Sequence, residues 1–439
     1  MTNKELKFSG TIKSKNTFFY VKSVLVITCI LFIIIGINSI ARAGTIDDLK
    51  TKIGATNLNR TQLEAEIAQY QKQINDIQGQ SNTLKNTIAS LDISRNKLLT
   101  EIKLTQNKID GAVLDIEELS LEINNKDNQI DKNSSAIGRL FRQINETESI
   151  NSIEAILSTK SLSDLWTDID TNIQLQTKIR EQIDQMQVAK KDLQTAKQKS
   201  EKIKKDLLAY QNDLQNQKLI LESAKKEKNT LLTQTKNTES NYKKILAQKL
   251  ALKEAFDQEI AKYESQLKLA VDPKSLPTAG KGILVWPLDS IRITQNFGKT
   301  VDSARLYVSG THNGVDFAAS IGTKVKSAGN GVIAGTGDTD IVCSGASFGK
   351  WVFIRYDNGL ASIYGHLSLI TAKTGNRVNT GDVVGYSGNT GYSTGPHLHM
   401  SVYASQGVEI STLKSSVCKG TYVLPIANSS NYLDPLLYL

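Results

Sequence analysis

Residues 109–137 read IDGAVLDIEELSLEINNKDNQIDKNSSAI, with isoleucine at 109, 116, 123, 130 and 137. A helix brings every seventh residue back to nearly the same side. An apolar residue repeated at that interval therefore marks a narrow seam that must be covered by another helix. Outward from this stretch the frame runs unbroken from Leu63 to Ile144. Ten of its twelve a positions are isoleucine, Ser81 and Arg95 being the exceptions, and its d positions include Leu63, Tyr70, Ile77, Leu84, Leu91, Leu98, Leu119 and Leu140. At 1.5 Å per residue this predicts one helical arm about 120 Å long.

A second, more interrupted frame runs from Leu193 through Ile203, Leu207, Tyr210, Leu214, Leu221, Leu231, Tyr242, Ile245, Leu252 and Phe256 to Leu267. Its length nearly equals that of the first. The rhythm breaks over 146–172, where SIEAILSTKSLSDLWTDID (152–170) has Ser and Asp at helix-start positions and an apolar cluster of Leu162, Leu165 and Trp166. Two arms of similar length around a break suggest an antiparallel hairpin within one chain. Isoleucine at a with leucine at d also suits a parallel dimer. The apolar cluster is either a small core at the bend or a docking surface.

Composition divides the chain in the same place. Residues 45–271 are rich in Lys, Gln, Asn, Glu, Ile and Leu and almost free of glycine. DPKSLPTAGKG (272–282) has the prolines and glycines of a linker. From 283 to 439, short β-branched and aromatic runs alternate with turn residues, as in KWVFIRYDNGLASIYGHL. The expected fold is multidomain: a long α-helical coiled-coil hairpin followed by an all-β domain of antiparallel sheet.

The formal charge is +9, yet much of it lies in residues 1–43, where Lys4, Lys7, Lys13, Lys15, Lys22 and Arg42 face only Glu5. Charges in the helical part alternate in sign, as on a solvated helix face, which argues against nucleic acid as a partner. The first 43 residues combine this basic region with the apolar run SVLVITCILFIIIGI and Ala41-Arg42-Ala43. That is the pattern of a secretory signal peptide cut after Ala43, or of a membrane anchor if it is retained. Export to the periplasm or cell wall follows. In an oxidising compartment Cys343 and Cys418 either pair or remain as two separate buried thiols.

All four histidines, His312, His366, His397 and His399, fall in the C-terminal part. In GPHLHM (395–400), side chains on a strand alternate, so His397 and His399 share one face and Leu398 enters the core. In HNGVD (312–316), His312 and Asp316 can hold one metal together, with Gly314 permitting a sharp backbone path. One histidine of the HLH pair would complete two imidazoles and a carboxylate. Three such ligands with an open fourth position describe a catalytic zinc site. Each motif alone is common on strands without function; their conjunction, with no histidine left over, points to chemistry.

That conjunction resembles the lysostaphin/LytM-type zinc metallopeptidases, which are peptidoglycan endopeptidases. The likeness covers 283–439 through WPL, HNGVDFAA, GNGVIAGTG, YGHLS, VVGYSGNTGYSTGPHLHMSVY and the terminal LDPLLYL. It implies zinc ligands His312, Asp316 and His399, with His366 and His397 as the two non-ligand catalytic histidines. The segment AILSTKSLSDLWTDID resembles the same region of exported coiled-coil murein hydrolases and activators of the EnvC and PcsB type. It implies engagement of an FtsEX-like membrane complex through Leu162, Leu165 and Trp166. The expected function is a zinc endopeptidase cutting peptide crosslinks of peptidoglycan, positioned or restrained by its coiled coil. The rival is a module that binds wall peptide and activates a separate amidase.

Overall fold

A computed structural model of the chain describes residues 46–78, 83–148, 162–266, 276–300, 303 and 310–439. The 1–43 leader, residues 149–161 of the break, the side chains of Leu162 and Leu165, residues 272–275 of the linker, and residues 301–302 and 304–309 lie outside the described residues. Four helices precede the strands: α1 (Ile46–Gln78), α2 (Leu84–Glu148), α3 (Leu162–Thr235) and α4 (Glu239–Gln266). Among the described residues no helix is long and apolar enough to cross a membrane. The chain divides into two compact units, one of Met1–Gly54 with Glu117–Met186, the other of Ala55–Ile116 with Gln187–Leu439. The first is helical where described. It buries Leu119, Ile137 and Ile179 and leaves Phe141 and Ile173 exposed, with Trp166 68% exposed.

The second unit corrects both frames, each of which predicts a single helical arm. Thr100 Oγ1 donates to Glu66 Oε1 at 3.1 Å. In one continuous helix these residues would stand about 50 Å apart. The α1 and α2 helices are therefore separate and lie side by side. The sequence between them, Gly79-Gln80-Ser81-Asn82-Thr83, has the residues that leave a helix and start the next. The Thr83 hydroxyl accepts from Asn86 N at 3.2 Å, which begins α2. The second frame breaks at Lys236 and Asn237, both with positive φ, and the Thr238 hydroxyl caps α4 by accepting from Asn241 N at 3.4 Å. Two left-handed residues in succession end α3.

Within this unit α2 and α3 run antiparallel. Lys228 pairs with Asp92, and the Lys108 ammonium lies over the Tyr210 ring. Later residues of one helix thus meet earlier residues of the other within one chain.

The β domain has a ten-stranded antiparallel sheet: β1 (Ile293–Gln295), β2 (Val315–Ala318), β3 (Lys324–Lys326), β4 (Gly331–Asp338), β5 (Lys350–Tyr356), β6 (Leu360–Ile370), β7 (Arg377–Val378), β8 (Val383–Ser387), β9 (His397–Ala404) and β12 (Tyr432–Leu433). Between β9 and β12 the hairpin β10 (Val408–Lys414) and β11 (Thr421–Ala427) forms a separate two-stranded sheet. Both faces of the large sheet are buried. In β5, Val352, Ile354 and Tyr356 enter one core with Val315, Phe317, Tyr364, Leu398 and Met400. The alternate residues Trp351 and Phe353 enter a second core with Ile363, Tyr403, Tyr422 and Leu424. Leu284 N donates to Tyr438 O at 2.8 Å, tying the start of the domain to its end.

The helices share these cores. Leu91 and Leu98 of α2 and Ile220 of α3 cluster with Ile321 and Tyr386. Lys97 Nζ donates to Ser320 Oγ at 2.7 Å, and Lys324 pairs with Asp213 at 2.5 Å. Phe256 of α4, fully buried, belongs to the second core.

Candidate active site

Three adjacent strands bring the site together. In the β2–β9 pair Asp316 stands opposite His399, and in the β6–β9 pair Gly365, beside His366, stands opposite the same histidine. His312 reaches the cluster from the segment ahead of β2, where it makes an isolated bridge with Gly298. As strand alternation requires, Leu398 is fully buried in the first core while the histidines face the other way. Gly314 is needed for close approach. A Cβ there would meet Met400 O at 2.5 Å and the His399 imidazole at 2.7 Å.

His312, Asp316 and His399 are buried and offer ligand atoms all within 4.8 Å of one another. Around a tetrahedral ion with bonds near 2.0–2.2 Å, donors sit roughly 3.3–3.5 Å apart. Here His399 Nδ1 lies 2.8 Å from Asp316 Oδ1, His312 Nε2 lies 3.4 Å from the same oxygen, and the two ring nitrogens are 3.1 Å apart. The triangle fits a zinc-sized ion. Each imidazole is also oriented from behind. His312 Nδ1 donates to Asn296 O at 3.0 Å, and His399 Nε2 donates to Ser401 Oγ at 2.9 Å. These bonds turn His312 Nε2 and His399 Nδ1 toward the shared point. Burial raises the Asp316 carboxyl, but the facing His397, His312 and His399 imidazoles outweigh it and hold the group well below the usual carboxylate range.

The other two histidines form the edge of the cluster. His366 has a positive φ of 60° and its ring centroid lies 4.5 Å from that of His397. Its Nδ1 donates to Thr390 O at 2.7 Å. His397 Nδ1 donates to Gly395 O at 2.8 Å, and its Nε2 is 3.8 Å from Asp316 Oδ1. With Nδ1 so engaged, each ring has Nε2 left as an acceptor. Burial, then the neighbouring His397 and His399, push His366 well below the ordinary imidazole range and keep it neutral. The Thr390 loop is itself held. Gly391 N donates to Asp340 Oδ2 at 2.8 Å, and Asn389 donates to Glu227 of α3 at 2.6 Å.

The cluster opens into a cavity of about 160 Å³. Thr311, His312, Asn313, Ser347, Phe348, His366, Tyr392 and His399 form its histidine side. Across from them stands one face of α4: Lys253, Asp257, Ile260, Ala261 and Glu264. The Lys253 ammonium lies 5.1 Å from the Tyr392 ring centroid.

All five site residues expected from the sequence meet in this cluster. Three supports were missed. Ser401 continues the alternation of His397 and His399, so it could have been read from the strand. Asn296 and Thr390 act through backbone carbonyls and leave no signal in residue type. The placement of α4 was missed too.

Two imidazoles and a carboxylate around one point, edged by two further imidazoles, make a site of the kind metallopeptidases use. Residues 310–411 match the model of Peptidase family M23. The chain thus carries an M23 peptidase domain. It is 39% identical over 128 residues to DD-carboxypeptidase/endopeptidase Mpg of Neisseria meningitidis serogroup B, covering 29% of this chain and 28% of that protein. It is 37% identical over 137 residues to peptidoglycan DD-endopeptidase ShyA of Vibrio cholerae, covering 30% and 29%. The match therefore spans less than a third of these relatives' length. Among solved structures, the catalytic domain of lysostaphin from Staphylococcus simulans is similar at 28% identity, covering 33% of this chain and 90% of that one, with a TM-score of 0.25.

Proposed function

We propose that the chain is an exported zinc endopeptidase that hydrolyses peptide crosslinks of peptidoglycan, and that its helical arm restrains it. The observation that carries the first half is the cluster itself: His312, Asp316 and His399 converge while His366 and His397 turn acceptor nitrogens toward the same region. The names of the M23 relatives supply the substrate class. His312, Asp316 and His399 would hold zinc, which supplies Lewis acidity, acidifying a water and polarising the scissile carbonyl. Asn296 O and Ser401 Oγ keep the ligand rings in place. His397 and His366, each with Nε2 left as an acceptor by its Nδ1 bond, share the proton work: one takes the proton from the attacking water, and an imidazolium so formed returns it to the leaving amine. An imidazolium in this buried cluster also opposes the charge that develops on the carbonyl oxygen.

The second half rests on α4, whose Lys253–Glu264 face lies across the groove from the histidines. A peptide threading the groove would have to displace it. An FtsEX-like membrane complex acting through Leu162, Leu165 and the exposed Trp166 is the proposed partner that moves the arm during cell division or wall remodelling.

The test is digestion of purified peptidoglycan with one equivalent of zinc by the mature chain, by residues 281–439, and by a His397→Ala version of that fragment. Cut peptides released by the fragment, lost in the mutant and slower with the whole chain, are expected. No release from zinc-loaded protein would replace the enzyme by an activator of a separate amidase.

A further inference from the structure

Besides the Tyr432 bond to Glu264, α4 is gripped by two segments of the β domain that are distant in sequence. One is the β10–β11 hairpin, which forms no ladder with the main sheet. At its tip, Ser415 Oγ donates to Glu259 Oε2 at 2.7 Å, and Ser416 donates to Glu259 Oε1 through N at 2.5 Å and Oγ at 2.7 Å. These three bonds hold the Glu259 carboxyl below its usual range against the opposing effect of burial. Tyr263 OH donates to Lys414 O at 2.9 Å. The Phe256 ring packs on Tyr422 with centroids 4.9 Å apart.

The other segment is 339–349, whose Cys343 and Ala346 belong to the buried cluster that receives Phe256. This segment also builds the groove. Phe348 O accepts from His366 N at 2.7 Å, and Ser347 O accepts from Tyr392 N at 2.9 Å. A disulfide between Cys343 and Cys418, 75 residues apart with Cα atoms 5.3 Å from each other, fastens the hairpin tip to it.

The two sides of this fastening differ. Segment 339–349 is secured on the catalytic side independently of the disulfide, through Asp340 bonds to Gly345 N and Gly391 N at 2.7 and 2.8 Å. Thr339 Oγ1 adds a bond to Ala346 O at 2.9 Å. Among the described residues, the hydrogen bonds of the tip run within the tip or to α4, as in Ser415 N to Gly420 O and Cys418 N to Ser415 Oγ. Cys343 is buried, whereas Cys418 is partly exposed.

We propose that the Cys343–Cys418 disulfide is a redox latch on the arm: its reduction loosens the hairpin tip and releases α4 from the groove while the histidine cluster stays assembled. The proposal rests on the restraint reading above. A thiolate of an external dithiol attacks the sulfur of the partly exposed Cys418, and Cys343 leaves as thiolate. The dithiol's second thiolate then displaces Cys418 from the mixed disulfide. The dithiol loses two electrons and two protons to become a disulfide, and the protons end on Cys343 and Cys418.

The test is hydrogen exchange of the full-length chain, oxidised or treated with dithiothreitol, alkylated and desalted. Most of a helix's stability in a folded protein comes from packing of its apolar face, so exchange across 252–264 should rise at least tenfold on reduction, with β5, β6 and β9 still protected. A Cys343→Ser/Cys418→Ser double variant should match the reduced chain without any reductant. Unchanged exchange of α4 overturns the latch. So does loss of protection throughout the β domain, which would make the disulfide a staple of the whole fold. Peptidoglycan hydrolysis is read in parallel on the reduced chain and on a disulfide-intact Phe256→Ala chain. Faster α4 exchange with no hydrolysis by either chain supports the latch and overturns the enzymatic reading instead.

Discussion

Phe256→Ala separates docking of α4 from the chemistry of the site. The side chain is fully buried against Tyr422 and is not among the residues lining the groove. Truncating a buried phenylalanine to alanine costs about 3–5 kcal/mol. Phe256 is buried only while α4 is docked, so the whole cost falls on the docking equilibrium. At 1.36 kcal/mol per factor of ten, the ratio of open to closed chain rises roughly 150- to 5,000-fold. If the arm restrains the enzyme, peptide release by the zinc-loaded full-length chain rises by that factor, or until the open form predominates. The assay is the initial rate of dye-labelled fragment release from peptidoglycan, with hydrogen exchange of α4 read on the same sample. A helix that exchanges freely beside an unchanged rate would refute the restraint. A helix that stays protected would refute the energetics of the Phe256 slot.

Burial raises the Glu264 carboxyl from its usual range to about 7, against the bond it accepts from Tyr432 OH at 2.6 Å. Docking of α4 is therefore strongest below the undocked value, near pH 4.5, and weakens by about 3 kcal/mol as pH rises through 7. Exchange of α4, taken relative to the intrinsic amide rate at each pH, should quicken between about pH 4.5 and 7 in the native chain and lose that dependence in Glu264→Gln. Ser401→Ala removes the acceptor behind His399 and should weaken zinc affinity about 10–100-fold in chelator competition, with the fold intact; unchanged affinity would contradict the orienting role. Gly314→Ala drives a methyl into the His399 ring and Met400 O. It should cost about 1–3 kcal/mol in denaturant unfolding and abolish stoichiometric zinc binding.

The site was more legible than the helices. His312, Asp316, His397 and His399 sit in two short motifs whose spacing fixes which side chains share a face. His366 lies in neither motif and was assigned its role through resemblance alone. What pairing adds is the neighbour: strand alternation places His399 on a face, but only the β2 and β6 registers place Asp316 and His366 beside it. The helical frame misled because seven-residue periodicity continues across Gly79–Thr83 and across Lys236–Thr238. Turn and cap residues at both places were outvoted by the isoleucines around them.

The same periodicity also concealed what the seam covers. A heptad pattern reports that a stripe must be buried; it does not say by what. Leu91 and Leu98 read as d positions of a coiled coil, yet they share a cluster with Ile321 and Tyr386 of the β domain. Leu252 and Phe256 read as the end of the second arm, yet both pack into the core formed with the β10–β11 hairpin. In α4, the stripe that begins with Phe256 continues through Ile260 to Glu264 along the groove. Glu264 is the next position on that stripe, and its partner is Tyr432 of the β domain, not another helix. A polar residue with a buried hydroxyl partner in the β domain costs little when α4 is docked and protonated, and becomes a liability as the carboxyl ionises. Docking of α4 thus combines an apolar anchor at Phe256, a bonded clasp at Glu259, and a carboxyl at Glu264 that opposes docking near neutral pH.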